Sequence, residues 1–253
     1  MVEQKHSYTL HYFDLRGRGE PIRLILEYYG VKYEDNRIAM DDWPKHKADA
    51  PLGQVPYLVV DEGKLTLSQT LAICRYLAKS VRPSEYFGGA TKSDAARCDM
   101  YADAFMDLFS IGVERIYEHD PQLRMSFSFT LRASSRYAKK DALFEQKYPN
   151  QMKTLEDHLN DNGGNNFVGK KTLWCDLVAL CVLSLLEETK ADILHNYPDL
   201  HKFYMNMREL PEIKDYIERA WPPATPRRGG SSTIPHETPE APDNAKENDN
   251  KKG

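Results

Sequence analysis

Two short runs hold residue types that could bind a ligand. Gln54-Val55-Pro56 stands just ahead of an apolar, β-rich run, and Gln69-Thr70 stands just ahead of helical spacing. A proline that opens a strand is restricted, and a cis bond before Pro56 is expected. The peptide groups of Val55 are then free at a sheet edge, where an extended peptide can pair. Gln69 and Thr70 bring unpaired backbone N–H groups and the positive end of a helix dipole, which suits a carboxylate. Together the runs point to a small, extended, anionic, peptide-like ligand. Taken singly, each has a plainer reading: Pro56 shapes a turn and Thr70 caps a helix.

Other chemistries fit less well. The eight histidines are scattered. They show no H-E-x-x-H and no Cys/His pair at zinc spacing, so no metal is expected. Asp161-Asn162-Gly163-Gly164-Asn165-Asn166 has the look of a calcium loop, but the position where an EF-hand needs Glu is Thr172. A turn that ends a helix accounts for the run. Gly17 and Gly19 follow a strand and open a helix, as in a dinucleotide fingerprint. The third glycine position is Ile22, however, and Pro21 intrudes.

The elements that must position these residues fall into two kinds. Tyr8 to Phe13 reads as a strand. Arg16-Gly17-Arg18-Gly19 breaks it, and Pro21 fits the first turn of a helix. Ile22, Ile25, Leu26 and Tyr29 repeat at helical spacing, and Gly30 fits the end of that helix. Val31 to Ile38 reads as a second strand. Val55 to Val60 and Lys64 to Ser68 form a hairpin around Asp61-Glu62-Gly63-Lys64, and Gln69 to Lys79 is a helix. The order is β-α-β, then β-β-α.

From about Thr91 onward the spacing is helical. Cys98, Ala102, Phe105, Phe109, Gly112 and Ile116 form one stripe that stops near Pro121. Tyr137 to Leu159 forms a second long helix, or a pair kinked at Pro149. Trp174 to Glu187 is apolar nearly all round and should be central, and shorter helices follow near 198–208 and 211–220. Residues 222–253 hold six prolines and no aromatic residue. Such a segment cannot bury enough apolar surface to order itself, so a disordered tail is expected.

The 253 residues carry 41 % hydrophobic and 28 % charged side chains, an ordinary balance for a globular chain with a sizeable core. A net charge of -4 gives no sign of a nucleic-acid-binding face. The apolar run Leu173 to Leu186 is too short to span a bilayer and contains Asp176, so no membrane partner is expected. The first residues lack the apolar stretch of a secretory signal. Cys74, Cys98, Cys175 and Cys181 form no C-x-x-C pair. A reducing, cytoplasmic setting follows.

Five stretches carry a more specific signal. They are Tyr8-Thr9-Leu10-His11-Tyr12-Phe13-Asp14-Leu15, Arg16-Gly17-Arg18-Gly19-Glu20-Pro21, Asp42-Trp43-Pro44, Gly53-Gln54-Val55-Pro56, and Leu67-Ser68-Gln69-Thr70-Leu71-Ala72-Ile73. In combination they resemble the glutathione transferase family, its sigma class in particular, from about Ser7 to Trp221. The resemblance implies a thioredoxin-like α/β domain over 1–82 that binds glutathione, then an all-α domain over 91–221 with an electrophile pocket. Tyr12 matches the family's catalytic tyrosine, whose hydroxyl donates to the glutathione thiolate. Arg18 matches a basic residue that supports the site. Trp43 and Lys47 match contacts to the ligand's glycine end, with Gln54 beside them. Val55, ahead of Pro56, matches the backbone pairing to the cysteinyl unit. Gln69 and Thr70 match the cradle of the γ-glutamyl carboxylate. Asp107 matches an acidic residue that reaches the ligand's amino group from a neighbouring subunit, which implies a homodimer.

Three departures bear on function. Thr70 stands where the family usually has serine. Leu173 replaces the usual Ser/Thr cap ahead of the central helix, a loss of about 1 kcal/mol, so Leu173→Thr is expected to raise stability. Extra residues lie around 122–140, beside the electrophile pocket. Two classes of function follow from the resemblance. One is an enzyme that conjugates glutathione to hydrophobic electrophiles, with glutathione-dependent prostaglandin D isomerisation as a variant. The other is a structural protein like the S-crystallins, whose insertion the Leu123-Arg124-Met125 neighbourhood resembles. The complete set Tyr12, Arg18, Trp43, Lys47, Gln69 and Thr70 favours the enzyme.

Overall fold

A computed structural model describes residues 4–119, 138–190 and 192–221. Strand β1 spans Tyr8–Phe13, helix α1 Glu20–Tyr28 and strand β2 Glu34–Ile38. A short helix α2 covers Trp43–His46. Strands β3 (Tyr57–Val60) and β4 (Leu65–Ser68) form the hairpin, and helix α3 runs over Thr70–Ser80. The sheet order is β2-β1-β3-β4. β1 runs parallel to β2 and antiparallel to β3, and β3 is antiparallel to β4. The first pairing needs a crossover, which α1 supplies, and the last needs only a tight turn. The β-α-β, β-β-α order read from the sequence is the order observed.

β2 and β3 start two or three residues later than the sequence suggests, and β4 one residue later. The N–H of Val31 closes the end of α1 on the Leu26 carbonyl at 2.9 Å. Lys32 exchanges both backbone groups with the Gln4 side chain, at 2.9 and 2.8 Å. With those groups engaged, the ladder begins at Glu34. The third strand begins at Tyr57, because Pro56 has no N–H to give to the ladder; the Val55–Pro56 bond is cis, as expected.

Along β1, Tyr8, Leu10 and Tyr12 are buried while the alternate residues are half-buried. This alternation places Tyr12 on the core face, as strand geometry requires. Pro21 lies in the first turn of α1, and Glu20 through Leu26 are all buried. Such complete burial fits a helix packed between the sheet side and the helical half. Gly30, at φ +60, ends α1 as expected.

The helical half comprises α4 (Lys92–His119), α5 (Ala138–Asp161), α6 (Trp174–Thr189), α7 (Pro198–Arg208) and α8 (Lys214–Ala220). α5 runs through Pro149 as one helix. α6 is buried nearly all round and lies at the centre, against α1 and α4. Gly163 and Gly164, at φ +94 and +79, turn the chain after α5. Among the described residues no helix is long and apolar enough to cross a membrane. The four cysteines are buried and unbridged. The expected disordered tail lies outside the described residues, and so does most of the 122–140 insertion.

The start of α6 is capped differently from the family pattern. Asp176 accepts N–H bonds from Leu173 at 2.8 Å and from Phe167 at 2.9 Å. The Asp176 half of a capping box is therefore present, while Leu173 has no hydroxyl to complete it. The Leu173 side chain is itself part of the buried core. Exchanging it for threonine would add a cap worth about 1 kcal/mol. It would also remove about two buried carbon groups, at roughly 0.8 kcal/mol each. The stabilisation expected from the sequence therefore does not follow, because the packing loss outweighs the cap.

Candidate active site

Tyr12 sits near the end of β1 with its ring buried. The turn Arg16–Gly19 folds directly across that ring. A Cβ built on Gly19 would stand 2.5 Å from Tyr12 Cδ1, and one on Gly17 would stand 2.6 Å from the Tyr12 hydroxyl oxygen. The two glycines that mimicked a nucleotide fingerprint thus let the backbone approach a tyrosine.

The close approach forms a hydrogen bond. The Arg18 N–H donates to the Tyr12 hydroxyl oxygen at 2.9 Å. The phenol therefore accepts from the backbone and keeps its own O–H to donate elsewhere. Burial pushes the Tyr12 phenol above its ordinary range, opposed by the Arg18 N–H and by the charges of Arg18 and Arg23. The hydroxyl stays protonated at neutral pH. The Arg23 guanidinium carbon lies 5.8 Å from the centre of the Tyr12 ring.

Thr70, the first residue of α3, is buried, and its hydroxyl donates to the Arg18 carbonyl at 2.9 Å. One peptide segment at Arg18 therefore links Tyr12 to the start of α3. The Arg18 side chain crosses to the helical half, where Nη2 donates to Ser110 Oγ at 3.1 Å. It also lies over the Phe109 ring at 5.1 Å. Gln69 precedes α3 with φ +74, a left-handed conformation unusual for a side chain other than glycine. Such strained residues cost about 1–3 kcal/mol and cluster at ligand sites. The first N–H groups of α3 have no partner within the helix.

The remaining candidates flank this chain of bonds. Trp43 opens α2, half-buried and edge-on to Phe13 at 5.6 Å. Lys47 ends that helix and is exposed, its N–H on the Trp43 carbonyl at 2.9 Å. Val55 is half-buried and Pro56 buried, while Gln54 is exposed. Asp107 is exposed on α4, three residues before the Ser110 that Arg18 touches. Tyr12, Arg18 and Thr70 are thus joined by hydrogen bonds. Trp43 reaches the same strand end through Phe13, and Gln54 and Asp107 face solvent. Among the described residues no group of His, Cys, Asp and Glu could hold a metal ion.

Sequence reasoning missed the supports of the turn. Arg16 donates to Ser184 Oγ at 3.1 Å, pairs with Glu188, and lies over the Trp221 ring at 5.1 Å. Glu20 is buried beside Arg23, with Nη1 to Oε2 at 3.1 Å. Arg23 also meets Asp35 at 3.0 Å. The available signal was two charged residues, Glu20 and Arg23, set among the apolar residues of the first two turns of α1.

A mixed four-stranded sheet, a buried tyrosine under a glycine turn, and an all-helical second half define a thioredoxin-like domain joined to a helical one. The description "Glutathione S-transferase, N-terminal domain" matches residues 8–79, and "Glutathione S-transferase, C-terminal domain" matches residues 121–220. The chain is 37% identical to Glutathione S-transferase 1 of Ascaris suum, over 87% of this chain and 98% of that one. It is 33% identical to S-crystallin 4 of Enteroctopus dofleini, over 84% and 96%. It is 32% identical to the hematopoietic prostaglandin D synthase of Homo sapiens, over 84% and 96%. The solved structure of rat hPGDS complexed with a quinoline superposes with a TM-score of 0.70 at 30% identity, covering 86% of this chain and 99% of that one. The chain belongs to the glutathione S-transferase family.

Proposed function

We propose that this chain is a sigma-like glutathione transferase that holds glutathione as a thiolate through Tyr12 and joins it to hydrophobic electrophiles. The observation that carries this reading is the Arg18 N–H on the Tyr12 oxygen, which occupies a lone pair and leaves the phenolic proton free for a sulfur. A glutathione thiol ordinarily titrates near 8.5, like free cysteine. A donated hydrogen bond worth about 2–3 kcal/mol to the anion lowers that value by roughly two units, so thiolate dominates near neutrality. The thiol proton leaves to solvent. The sulfur lone pair then forms the bond to the electrophilic carbon, and the leaving group departs with its bonding electrons or, in an addition, the product takes a proton from water. The Arg18 charge adds to the stabilisation of the anion.

The remaining residues bind and orient. Trp43, Lys47 and Gln54 take the glycine end of glutathione. Val55, ahead of Pro56, pairs with the cysteinyl backbone. Gln69 and the free N–H groups at the start of α3 receive the γ-glutamyl carboxylate. The Thr70 hydroxyl is engaged as a donor to Arg18, so Thr70 serves this carboxylate through its backbone N–H. Asp107 reaches the amino group of glutathione bound to a second copy of the chain, which makes the working form a homodimer, placed here in the cytoplasm with a detoxifying role.

Two neighbouring functions draw on particular relatives. Likeness to an S-crystallin supports a structural protein with little turnover. Likeness to prostaglandin D synthases supports isomerisation of a prostaglandin endoperoxide by the same thiolate. Retention on a glutathione resin, a chromogenic conjugation assay and a prostaglandin H2 assay separate the three. Binding with conjugation supports the proposal, and binding without either turnover makes the chain a crystallin-like scaffold. Sedimentation at micromolar concentration tests the dimer, and a monomeric mass sinks the role given to Asp107.

A further inference from the structure

Glu20 is only 1 % exposed, deep between the two halves of the molecule. It opens α1, one residue beyond Gly19. Its carboxylate receives Arg23 Nη1 at 3.1 Å, the Tyr216 hydroxyl at 2.8 Å and the Trp221 indole N–H. Tyr216 lies on α8, and Trp221 follows that helix directly. The same Trp221 ring lies under Arg16, at the opposite flank of the turn. Arg16 is held in addition by Glu188 and Ser184 of α6.

The turn 16–20 is therefore held at both flanks from the far end of the folded chain, and Trp221 touches both. Between those flanks hangs the Arg18 peptide segment, with its N–H on Tyr12 and its carbonyl on Thr70. The N–H points at the phenolic oxygen only while the turn stays pressed onto the Tyr12 ring. A buried carboxylate that loses a donor regains it by moving or by admitting water, and either displaces the turn. We propose that Trp221 and Glu20 are positioning residues for the thiolate chemistry: they clamp the 16–20 turn so that the Arg18 N–H orients the Tyr12 hydroxyl toward sulfur. The inference rests on the reading of Tyr12 as the thiolate donor.

Trp221→Phe tests it, because the ring stays beneath Arg16 while the N–H to Glu20 is lost. Tyr216→Phe removes the other long-range donor and serves as the second variant. Both are made in the full chain, alone and with Tyr12→Phe. The readouts are the ultraviolet absorbance of the thiolate against pH in the glutathione-saturated protein, kcat and KM for conjugation, and the melting temperature. Each clamp variant should raise the midpoint of thiol ionisation by roughly half to one pH unit. At pH 7 kcat should fall about 1.5- to three-fold, because less thiolate is present, with the KM for glutathione within about two-fold. In the Tyr12→Phe background the clamp variants should change the midpoint no further. A lower melting temperature with a wild-type midpoint, or an equal shift in both backgrounds, overturns the clamp while the role of Tyr12 stands. If Tyr12→Phe alone leaves the midpoint unmoved, the Tyr12 reading fails first and the clamp falls with it.

Discussion

Gly19 lies against the ring of Tyr12 so closely that a Cβ there would stand 2.5 Å from Cδ1. Its φ of -80 is one that any residue adopts, so the requirement for glycine is one of space alone. Gly19→Ala should leave the backbone route available and push the Tyr12 ring out of place. Overpacking of this kind costs about 1–3 kcal/mol of stability. Conjugation should fall at least ten-fold, out of proportion to that loss, because a small displacement would spoil the hydrogen bond proposed from Tyr12 to sulfur. Melting temperature and kcat measured together check this, and wild-type turnover in Gly19→Ala removes the close approach from the mechanism.

Tyr12→Phe deletes one hydroxyl from a buried ring and keeps its packing. A loss of about 2–3 kcal/mol of anion stabilisation corresponds to roughly 30- to 150-fold in kcat/KM at neutral pH. Binding of glutathione should hold within a few-fold, since the contacts proposed for its termini lie on other residues. Burial raises the phenol above its ordinary range, so its proton remains in place as pH rises. The wild-type profile should therefore climb through the ionisation of the bound thiol and then stay level, with no falling limb below about pH 10. A falling limb between neutrality and that point would mean that Tyr12 loses its proton while the enzyme works.

The element order and the core face of β1 were legible because alternation and helical spacing are local signals. Ile22, Ile25 and Leu26 announce α1 wherever the chain goes next. The likeness of Tyr12, Trp43 and Gln69-Thr70 to a family pattern was legible too. The supports of the site were not. Trp221 and Glu20 are 201 residues apart, and no spacing rule joins them. The late start of β2 was hidden for a similar reason, since it depends on Gln4 reaching Lys32. Gly17 and Gly19 were visible, but the ring they accommodate belongs to the preceding strand. From sequence alone Leu173 reads as a missing cap, because the sequence shows a lost hydroxyl and not the core contact that replaces it.

Leu173→Thr measures that exchange directly. The cap contributes about 1 kcal/mol, and the lost packing costs roughly 1.6 kcal/mol before any cavity is counted. The melting temperature should stay level or drop by a few degrees, and the deficit should shrink in Leu173→Thr relative to Leu173→Ala, which loses the packing without gaining the cap. A clear rise in Leu173→Thr would mean that the cap outweighs the core contact.

Asp176 ties stability to pH in the direction opposite to most carboxylates. Burial pushes its carboxyl up to about 7, against the pull of the Leu173 and Phe167 N–H groups and the Asn166 amide. An unfolded aspartate titrates near 3.9. Between those values the folded state binds the extra proton, so stability is greatest below the unfolded value and declines as pH rises toward 7. A shift of about three units corresponds to roughly 4 kcal/mol across that window. Other carboxylates, Asp61 beside His6 among them, titrate low and give a pH dependence of the opposite sign below pH 4. The contribution of Asp176 is therefore read as a difference between proteins. Denaturant titrations of wild type and Asp176→Asn at pH 5 and pH 7 should show wild type losing more stability on the upward step. The variant should be weaker than wild type at pH 5, where a single amide oxygen replaces two acceptors for three donors, and should close part of that gap at pH 7. Parallel pH dependence in the two proteins would mean that the carboxylate stays ionised throughout, held by its N–H donors more strongly than burial disfavours it.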